Sequence, residues 1–123
     1  MLKRHINKGI LEISDEKGNV ILSSSEEMID GVFYFTLKGQ MRNDAACEFE
    51  DELMAALSVC GRIVLSFKEV SYIASTAMRS LLSVQQIMDE RENSRLLIKG
   101  VSDEVMKTFD AYGFTNMLEI EGA

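Results

Sequence analysis

Residues 62–89 read RIVLSFKEVSYIASTAMRSLLSVQQIMD and predict a strand that leads into a helix. The apolar run at 63–65 predicts a short buried strand that breaks off into a polar stretch, and a second apolar run follows at 70–73. Adjacent hydroxyls at Ser75 and Thr76 then open a segment with helical spacing. A strand that leads into a helix places these hydroxyls beside the unpaired backbone N–H groups of the first helical turn.

The chain before this stretch predicts mainly β-structure. Residues 10–13 and 20–22 predict two short strands, joined by a loop at 15–19 in which Gly18 and Asn19 can adopt the positive φ of a hairpin turn. Residues 23–27 read SSSEE and predict a polar connection. Residues 32–37 predict a further strand, because aromatic and β-branched residues alternate there. One face of that strand carries Phe33, Phe35 and Leu37.

A helix is predicted over 45–60, with Asn43 or Asp44 as its cap. Its apolar positions follow helical spacing; they are Ala46, Phe49, Leu53, Ala56, Leu57 and Cys60. The two cysteines, at 47 and 60, would lie about 20 Å apart along this helix, too far for a disulfide. We therefore predict two buried thiols.

The remaining elements continue an alternation of strands and helices. A helix is predicted over 76–91, a buried strand over 96–98, and a last helix that Ser102 caps and that stops near Gly113. Residues 117–120 predict a last short strand or a packed tail. Continuous apolar strands that alternate with amphipathic helices predict an α/β fold, with helices packed on a mixed and mostly parallel sheet.

Composition narrows the classes of function. The chain has 123 residues, 46% of them hydrophobic, which predicts one domain with its own core. Its net charge is −7 with Lys and Arg scattered, so we expect no nucleic-acid binding. No apolar run is long enough for a membrane span, and the N-terminal sequence MLKRHINKG does not continue into the apolar segment of a signal peptide. We expect a cytoplasmic protein without membrane contact.

The sequence also lacks the usual motifs of enzymes and cofactor sites. There is no G-x-S-x-G, no phosphate-binding glycine loop and no C-x-x-C, and His5 is the only histidine. We predict a protein that is not an enzyme and holds no metal or cofactor. The helical spacing of the acidic run at 48–52 predicts a solvated helix face. Most of the eight methionines are expected to fill the core. Ser75 is then either a helix cap or part of a regulatory site.

Together these segments resemble the STAS domain, the fold of bacterial anti-sigma factor antagonists. The resemblance covers residues 31–120, in VFYFTLKG, in RIVLSFKEVSYIASTAM, in RLLIKGV and in VMKTFDAYGFTNML. The central segment is similar to the family pattern of an apolar strand followed by Asp-Ser-[Ser/Thr]-Gly-Leu. The whole chain, 1–123, is then one STAS-like domain, in which 1–30 form an N-terminal hairpin extension of the core at 31–120.

The resemblance implies a non-enzymatic regulator of transcription that binds an anti-sigma factor, itself a Ser/Thr kinase. Phosphorylation of the second hydroxyl of the motif would eject the regulator from its partner. That hydroxyl is Thr76 here, with Ser75 as the second candidate acceptor and the expected cap. The implied partner-binding residues are Gln40, Met41, Arg42, Ser71, Ala74, Ala77, Met78 and Arg79.

The chain departs from the family motif at three positions. Ala74 replaces its Asp, Ala77 replaces its Gly, and Arg42 stands where an earlier family motif is acidic. Two alternatives therefore stay open: an unphosphorylated STAS scaffold within a larger complex, and a small-ligand or nucleotide-binding α/β domain with a pocket at the strand ends. The N-terminal hairpin could also pair edge-to-edge with a second copy in a homodimer.

Overall fold

A computed structural model describes the backbone of residues 3–7 and 10–122 and the side chains of residues 10–122. Its elements follow in chain order: β1 Lys3–Asn7, β2 Ile10–Ser14, β3 Val20–Ile29, β4 Val32–Met41, α1 Asn43–Leu57, β5 Arg62–Ile73, α2 Ser75–Asp89, β6 Arg95–Val101, α3 Asp103–Ala111, a 3₁₀ turn at Phe114–Asn116 and β7 Glu119–Gly122. No helix in the described part of the chain is long and apolar enough to cross a membrane.

The strands form one sheet in the order β1-β2-β3-β4-β5-β6-β7. The three pairings from β1 to β4 are antiparallel, and the three from β4 to β7 are parallel. This confirms the predicted mixed α/β fold, in which the parallel part begins at β4. Consecutive parallel strands joined by right-handed crossovers place all their helices on the same face of the sheet.

The hydrophobic core lies between this one sheet face and the helices. Leu37, Leu65 and Ile98 are fully buried and lie on neighbouring strands of the helix-covered face. Aromatic rings join the layers: Phe35 on β4 lies 6.3 Å from Phe49 on α1, measured between ring centroids. The apolar spacing of strands and helices therefore predicted the core correctly, because each element buries one face.

The prediction of a polar connection at 23–27 was wrong, because these residues belong to β3 and pair along their whole length with β4. Ser24 lies on the helix-covered face and is buried, whereas Ser25 lies on the other face and is exposed. Polar residues are compatible with a strand here because that second face meets solvent. The turn after β3 is Asp30-Gly31, both with positive φ, a hairpin signal that the sequence reading missed.

The prediction that the strand breaks after residue 65 was also wrong. Strand β5 runs without interruption from Arg62 to Ile73, and Phe67 within it is fully buried. Two irregularities in the register between β4 and β5 accommodate this length. One of them includes Gly39, whose φ is +118° and where a Cβ atom would lie 2.2 Å from the carbonyl oxygen of Ile21. Only glycine fits that close approach.

Helix α1 also differs from its prediction. It begins at Asn43 and ends at Leu57, and the residue at its N-cap position is Arg42 rather than Asn43 or Asp44. The predicted buried thiols were wrong: Cys47 is exposed, and Cys60 lies beyond the helix, half-buried. The Cys60 thiol donates to the carbonyl oxygen of Gly31 at 3.0 Å. Because α1 ends before residue 60, this cysteine joins the β3–β4 turn to the start of β5.

Fewer methionines than predicted are buried in the core. Three of the described methionines are buried, one is half-buried and three are exposed; in that order they are Met41, Met78, Met88, Met106, Met28, Met54 and Met117. Of the exposed ones, Met28 lies on β3, Met54 on α1, and Met117 in the turn before β7. The division of the chain into an extension at 1–30 and a core at 31–120, and the homodimer through the hairpin edge, remain predictions.

Candidate functional site

The hydroxyl pair lies where β5 passes directly into α2. Ala74 has extended backbone angles, φ −85° and ψ 157°, and occupies the N-cap position without a side chain that could cap. Its N–H donates to the carbonyl oxygen of Met41 at 2.9 Å. The prediction that Ser75 caps the helix was wrong: the β4–β5 pairing fixes Ala74 in extended conformation, so the helix starts at Ser75 itself.

Thr76 links the starts of two helices. Its side chain is exposed, and its Oγ1 hydroxyl donates to Oδ1 of Asn43, the first residue of α1. The Asn43 side chain therefore accepts a hydrogen bond from Thr76 and does not cap its own helix. Because α1 and α2 follow the parallel strands β4 and β5, both helices begin at the same end of the sheet. Neither helix has a side-chain hydrogen bond at its cap position, so the first N–H groups of both have no capping side chain.

The charged groups around Arg42 are partly neutralised. The Arg42 guanidinium donates through Nε and Nη2 to the two carboxylate oxygens of Asp44, at 3.2 and 2.6 Å. Asp15, in the β2–β3 loop, accepts hydrogen bonds from the backbone and side-chain nitrogens of Asn19 and from the Lys17 N–H. These bonds, chiefly those from Asn19, hold the pKa of Asp15 below its usual value, and the charge of Arg42 adds to the effect.

The surface near Thr76 is shallow rather than concave. A depression of about 390 Å³ is lined by Arg42, Asn43, Asp44 and Tyr72. Tyr72 is 50% exposed, and the sequence reading did not single it out. The strict alternation of buried and exposed residues ends near the C-terminus of β5. Val70 and Ile73 are buried there, while the two residues between them are exposed, and Tyr72 is one of these two. An exposed tyrosine on a rigid strand is a common anchor in protein–protein contacts.

The structure divides the predicted partner-binding residues into two groups. Gln40, Ser71 and Arg79 are exposed and Arg42 is half-buried, so these four can contact a partner directly. The other four are buried; they are Met41, Ala74, Ala77 and Met78. The buried group can only support the surface from beneath, because Ala77 and Met78 belong to the apolar stripe that packs α2 into the core.

Among the residues whose side chains are described, no three His, Cys, Asp or Glu residues converge as metal ligands would. His5 lies outside that set. None of the four acidic residues of α1 at 48–52 is buried: Asp51 is exposed and the other three are half-buried, which agrees with a helix face that reaches solvent.

Comparison with known proteins points to one family. A family model described as "Mlab, STAS domain" matches residues 30–119, most of the chain. No significant match was found among curated protein sequences. The family match includes β4 to β6, the three helices and both hydroxyls of the site.

Solved structures share the fold at low sequence identity. An anti-sigma factor antagonist from Mycobacterium paratuberculosis is 13% identical with a TM-score of 0.75, over 89% of this chain and 91% of that one. The Bacillus cell fate determinant SpoIIAA in its phosphorylated form is 16% identical with a TM-score of 0.61, over 79% and 89%. A sulfate transporter family protein from Wolinella succinogenes is 22% identical with a TM-score of 0.62, over 88% and 84%.

Proposed function

The chain belongs to the STAS domain family, and on that premise we propose that it is a cytoplasmic, non-enzymatic signalling module that binds an anti-sigma factor or a related Ser/Thr kinase. Binding would use the start of α2 and the strand ends beside it, which we call the docking surface. Its residues are Gln40, Arg42, Asn43, Ser71, Tyr72, Thr76 and Arg79. Within it, Thr76 is the proposed phosphate acceptor and Ser75 the second choice.

The observation that carries this proposal is the difference in access between the two hydroxyls. Thr76 is exposed on the first turn of α2, whereas Ser75 is half-buried beside the β4–β5 junction. A kinase must bring the acceptor oxygen in line with the terminal phosphate of its nucleotide, which an exposed side chain permits. The free N–H groups of the same turn favour the phosphate once it is attached.

Phosphorylation of Thr76 would change the docking surface locally. The hydroxyl that donates to Asn43 would become a phosphate ester that can only accept, so the link between α1 and α2 would be lost. The phosphate would add nearly two negative charges beside Asn43, which is adjacent to Arg42 in sequence. It would then compete with the Asp44 carboxylate for the Arg42 guanidinium. A partner that fits the unmodified surface would meet repulsion and a desolvation cost.

The acidic partners that the family motif supplies to the acceptor are replaced in this chain. Ala74, in place of the motif's Asp, is buried at 4% exposure and contributes no charge, and Arg42, in place of the earlier acidic residue, brings a positive charge instead. Carboxylates reach the region from other elements instead, Asp44 from α1 and Asp15 from the β2–β3 loop. The docking surface thus keeps a mixed charge that is compatible with binding a partner.

That test is incubation of the chain with a cognate kinase and ATP, followed by mass spectrometry of the peptide that contains Ser75 and Thr76. The proposal expects phosphate on Thr76, loss of most of it in the variant Thr76→Val, and retention in Ser75→Ala. Absence of modification at both residues, while the kinase still binds, would reject the switch.

A second function is supported by the Asn43 bond. The Thr76 hydroxyl already has a hydrogen-bond acceptor, and Ala74 provides no acidic neighbour, which suits an unphosphorylated scaffold that assembles a larger complex. If the chain is such a scaffold, the variants Thr76→Glu and Thr76→Ala should bind the same partner equally well. Clearly different affinities of these two variants would count against it.

A further inference from the structure

The sheet has one face that no helix covers. The neighbouring parallel strands β4 to β7 receive α1, α2 and α3 on the same side, and residues of all three helices belong to one core. The opposite face of β4, β5 and β6 is therefore open in the described part of the chain. One row on that face is polar: Thr36, Ser66 and Lys99 are paired neighbours across the three strands.

The next row on this open face is apolar. Tyr34 pairs with Val64, and Val64 pairs with Leu97, so the three side chains form a continuous strip across β4, β5 and β6. All three are half-buried, although no second layer packs on them. Together with Val32 they form the floor of a cavity of about 560 Å³, which is within the size range of small-molecule sites.

Cationic groups surround this apolar floor. Arg62 and Arg95 are paired neighbours at the starts of β5 and β6 and line one end of the cavity. Next to the strip but outside the cavity lining, Lys99 Nζ lies 5.8 Å from the centroid of the Tyr34 ring. Arg95 donates to the carboxylate of Glu119, and this bond holds the pKa of Glu119 below its usual value. Arg62 forms no ion pair with any residue whose side chain is described.

We propose that this cavity binds a small anionic amphiphile, with its apolar body on the strip of Tyr34, Val64 and Leu97 and its charged group beside Arg62. The argument is charge complementarity: a chain with net charge −7 places three cationic side chains around this apolar strip, and one of them, Arg62, has no ion pair among the described side chains. A second copy of the chain fits less well, because a face-to-face dimer would bring these cations together.

The proposed ligand site lies away from the docking surface. Arg62 begins strand β5, whereas Thr76 follows the end of that strand, and an extended strand of this length spans more than about 30 Å. The two surfaces also differ in direction, since the cavity opens on the uncovered sheet face. Failure of ligand binding would therefore leave the proposed function untouched, and the reverse also holds.

The experiment uses the fluorescent probe 1-anilinonaphthalene-8-sulfonate, which has a flat apolar body and one negative charge. We expect saturable binding to the folded chain, displacement by octanoate and by octyl phosphate, and weak displacement by 1-octanol, which lacks the charge. Arg62→Gln should weaken probe binding about tenfold, as the loss of one charge-assisted contact predicts. Lys107→Gln removes the same charge from exposed helix α3, on the covered side, and should leave binding unchanged.

A second variant tests the floor of the cavity. Leu97→Gln keeps the size of the side chain and should also weaken the probe, while a thermal melt checks that each variant is folded. Three results would each overturn the proposal: no binding up to about 1 mM probe, equal displacement by octanol and octanoate, or equal affinity of Arg62→Gln and Lys107→Gln. Probe binding that follows only a concentration-dependent dimer would assign the face to a second copy instead.

Discussion

Helices α2 and α3 begin in the same structural setting but with different chemistry. Each follows a parallel strand of the sheet, and each N-cap residue has extended backbone angles. In α3, Ser102 accepts the N–H of Val105 at 3.2 Å, and the first turn carries two acidic residues. In α2, Ala74 offers no acceptor and the first turn has no acid, although two hydroxyls follow it directly.

The difference separates a helix start used for stability from one that remains available for binding. A missing cap costs about 1 kcal/mol, and α2 compensates through a buried stripe of Ala77, Met78, Leu81, Val84 and Met88. Because no side chain occupies its first N–H groups, the start of α2 can receive a partner's acidic group or a phosphate. At the start of α3, the Ser102 hydroxyl already accepts a first-turn N–H, that of Val105.

The largest expected effect concerns binding at the open helix start. Thr76→Glu should weaken the affinity for a partner captured from native cytosol by about 2 kcal/mol, or about thirtyfold, because it removes the Asn43 link and adds charge at the docking surface. Isothermal titration calorimetry with the purified partner measures this. Ser83→Glu is the matched control, because it adds the same charge at an exposed position two turns further along α2. Equal losses in both variants would show a general charge effect.

The next effect concerns stability at the closed helix start. Ser102→Ala should lower the free energy of unfolding by about 1 kcal/mol, because the N–H of Val105 loses its acceptor. Urea denaturation followed by circular dichroism measures the change. An unaltered denaturation midpoint would mean that the cap of α3 is not what distinguishes the two helices.

A cap can also be added to α2. Ala74→Ser should raise the free energy of unfolding by about 0.5 kcal/mol, because Ala74 already has the backbone angles of an N-cap, close to those of Ser102. The same denaturation experiment tests this, and partner affinity measured in parallel shows whether closing the helix start weakens binding. Destabilisation would indicate that the nearly buried position cannot accept a hydroxyl.

The smallest effect is expected at Ser75. Ser75→Ala should change the free energy of unfolding by less than about 0.3 kcal/mol, because this residue is the first of the helix and caps nothing. A loss close to that of Ser102→Ala would instead restore Ser75 as a cap. Paired denaturation curves of the two alanine variants make this comparison under identical conditions.

The sequence predicted most of the fold where apolar spacing was strong. The three helices, the β2–β3 hairpin and the Ser102 cap follow from local patterns of turns, caps and buried faces. The polar half of β3 was missed because an open sheet face accepts serines that resemble a loop. The continuity of β5 was missed for a related reason, since its polar residues lie toward solvent while Phe67 maintains the buried face.

The candidate site was predicted in part. Thr76 at the start of a helix followed from the strand-to-helix junction, but its bond to Asn43 joins residues 33 apart in sequence. The helix start at Ser75 likewise depends on the distant bond from Ala74 to Met41. Such contacts arise from tertiary packing, which no local spacing encodes. The cavity on the open face is also a tertiary feature, formed by strand register.

Hydrogen–deuterium exchange of the chain, alone and bound to a captured partner, tests the central claim most directly. The proposal predicts slower exchange at 38–44 and at 68–79, which include the docking surface and its supporting backbone, with little change in α3 or in β2. Protection confined to α3, to the β1–β2 edge or to the open sheet face would contradict the assignment of the docking surface to the start of α2.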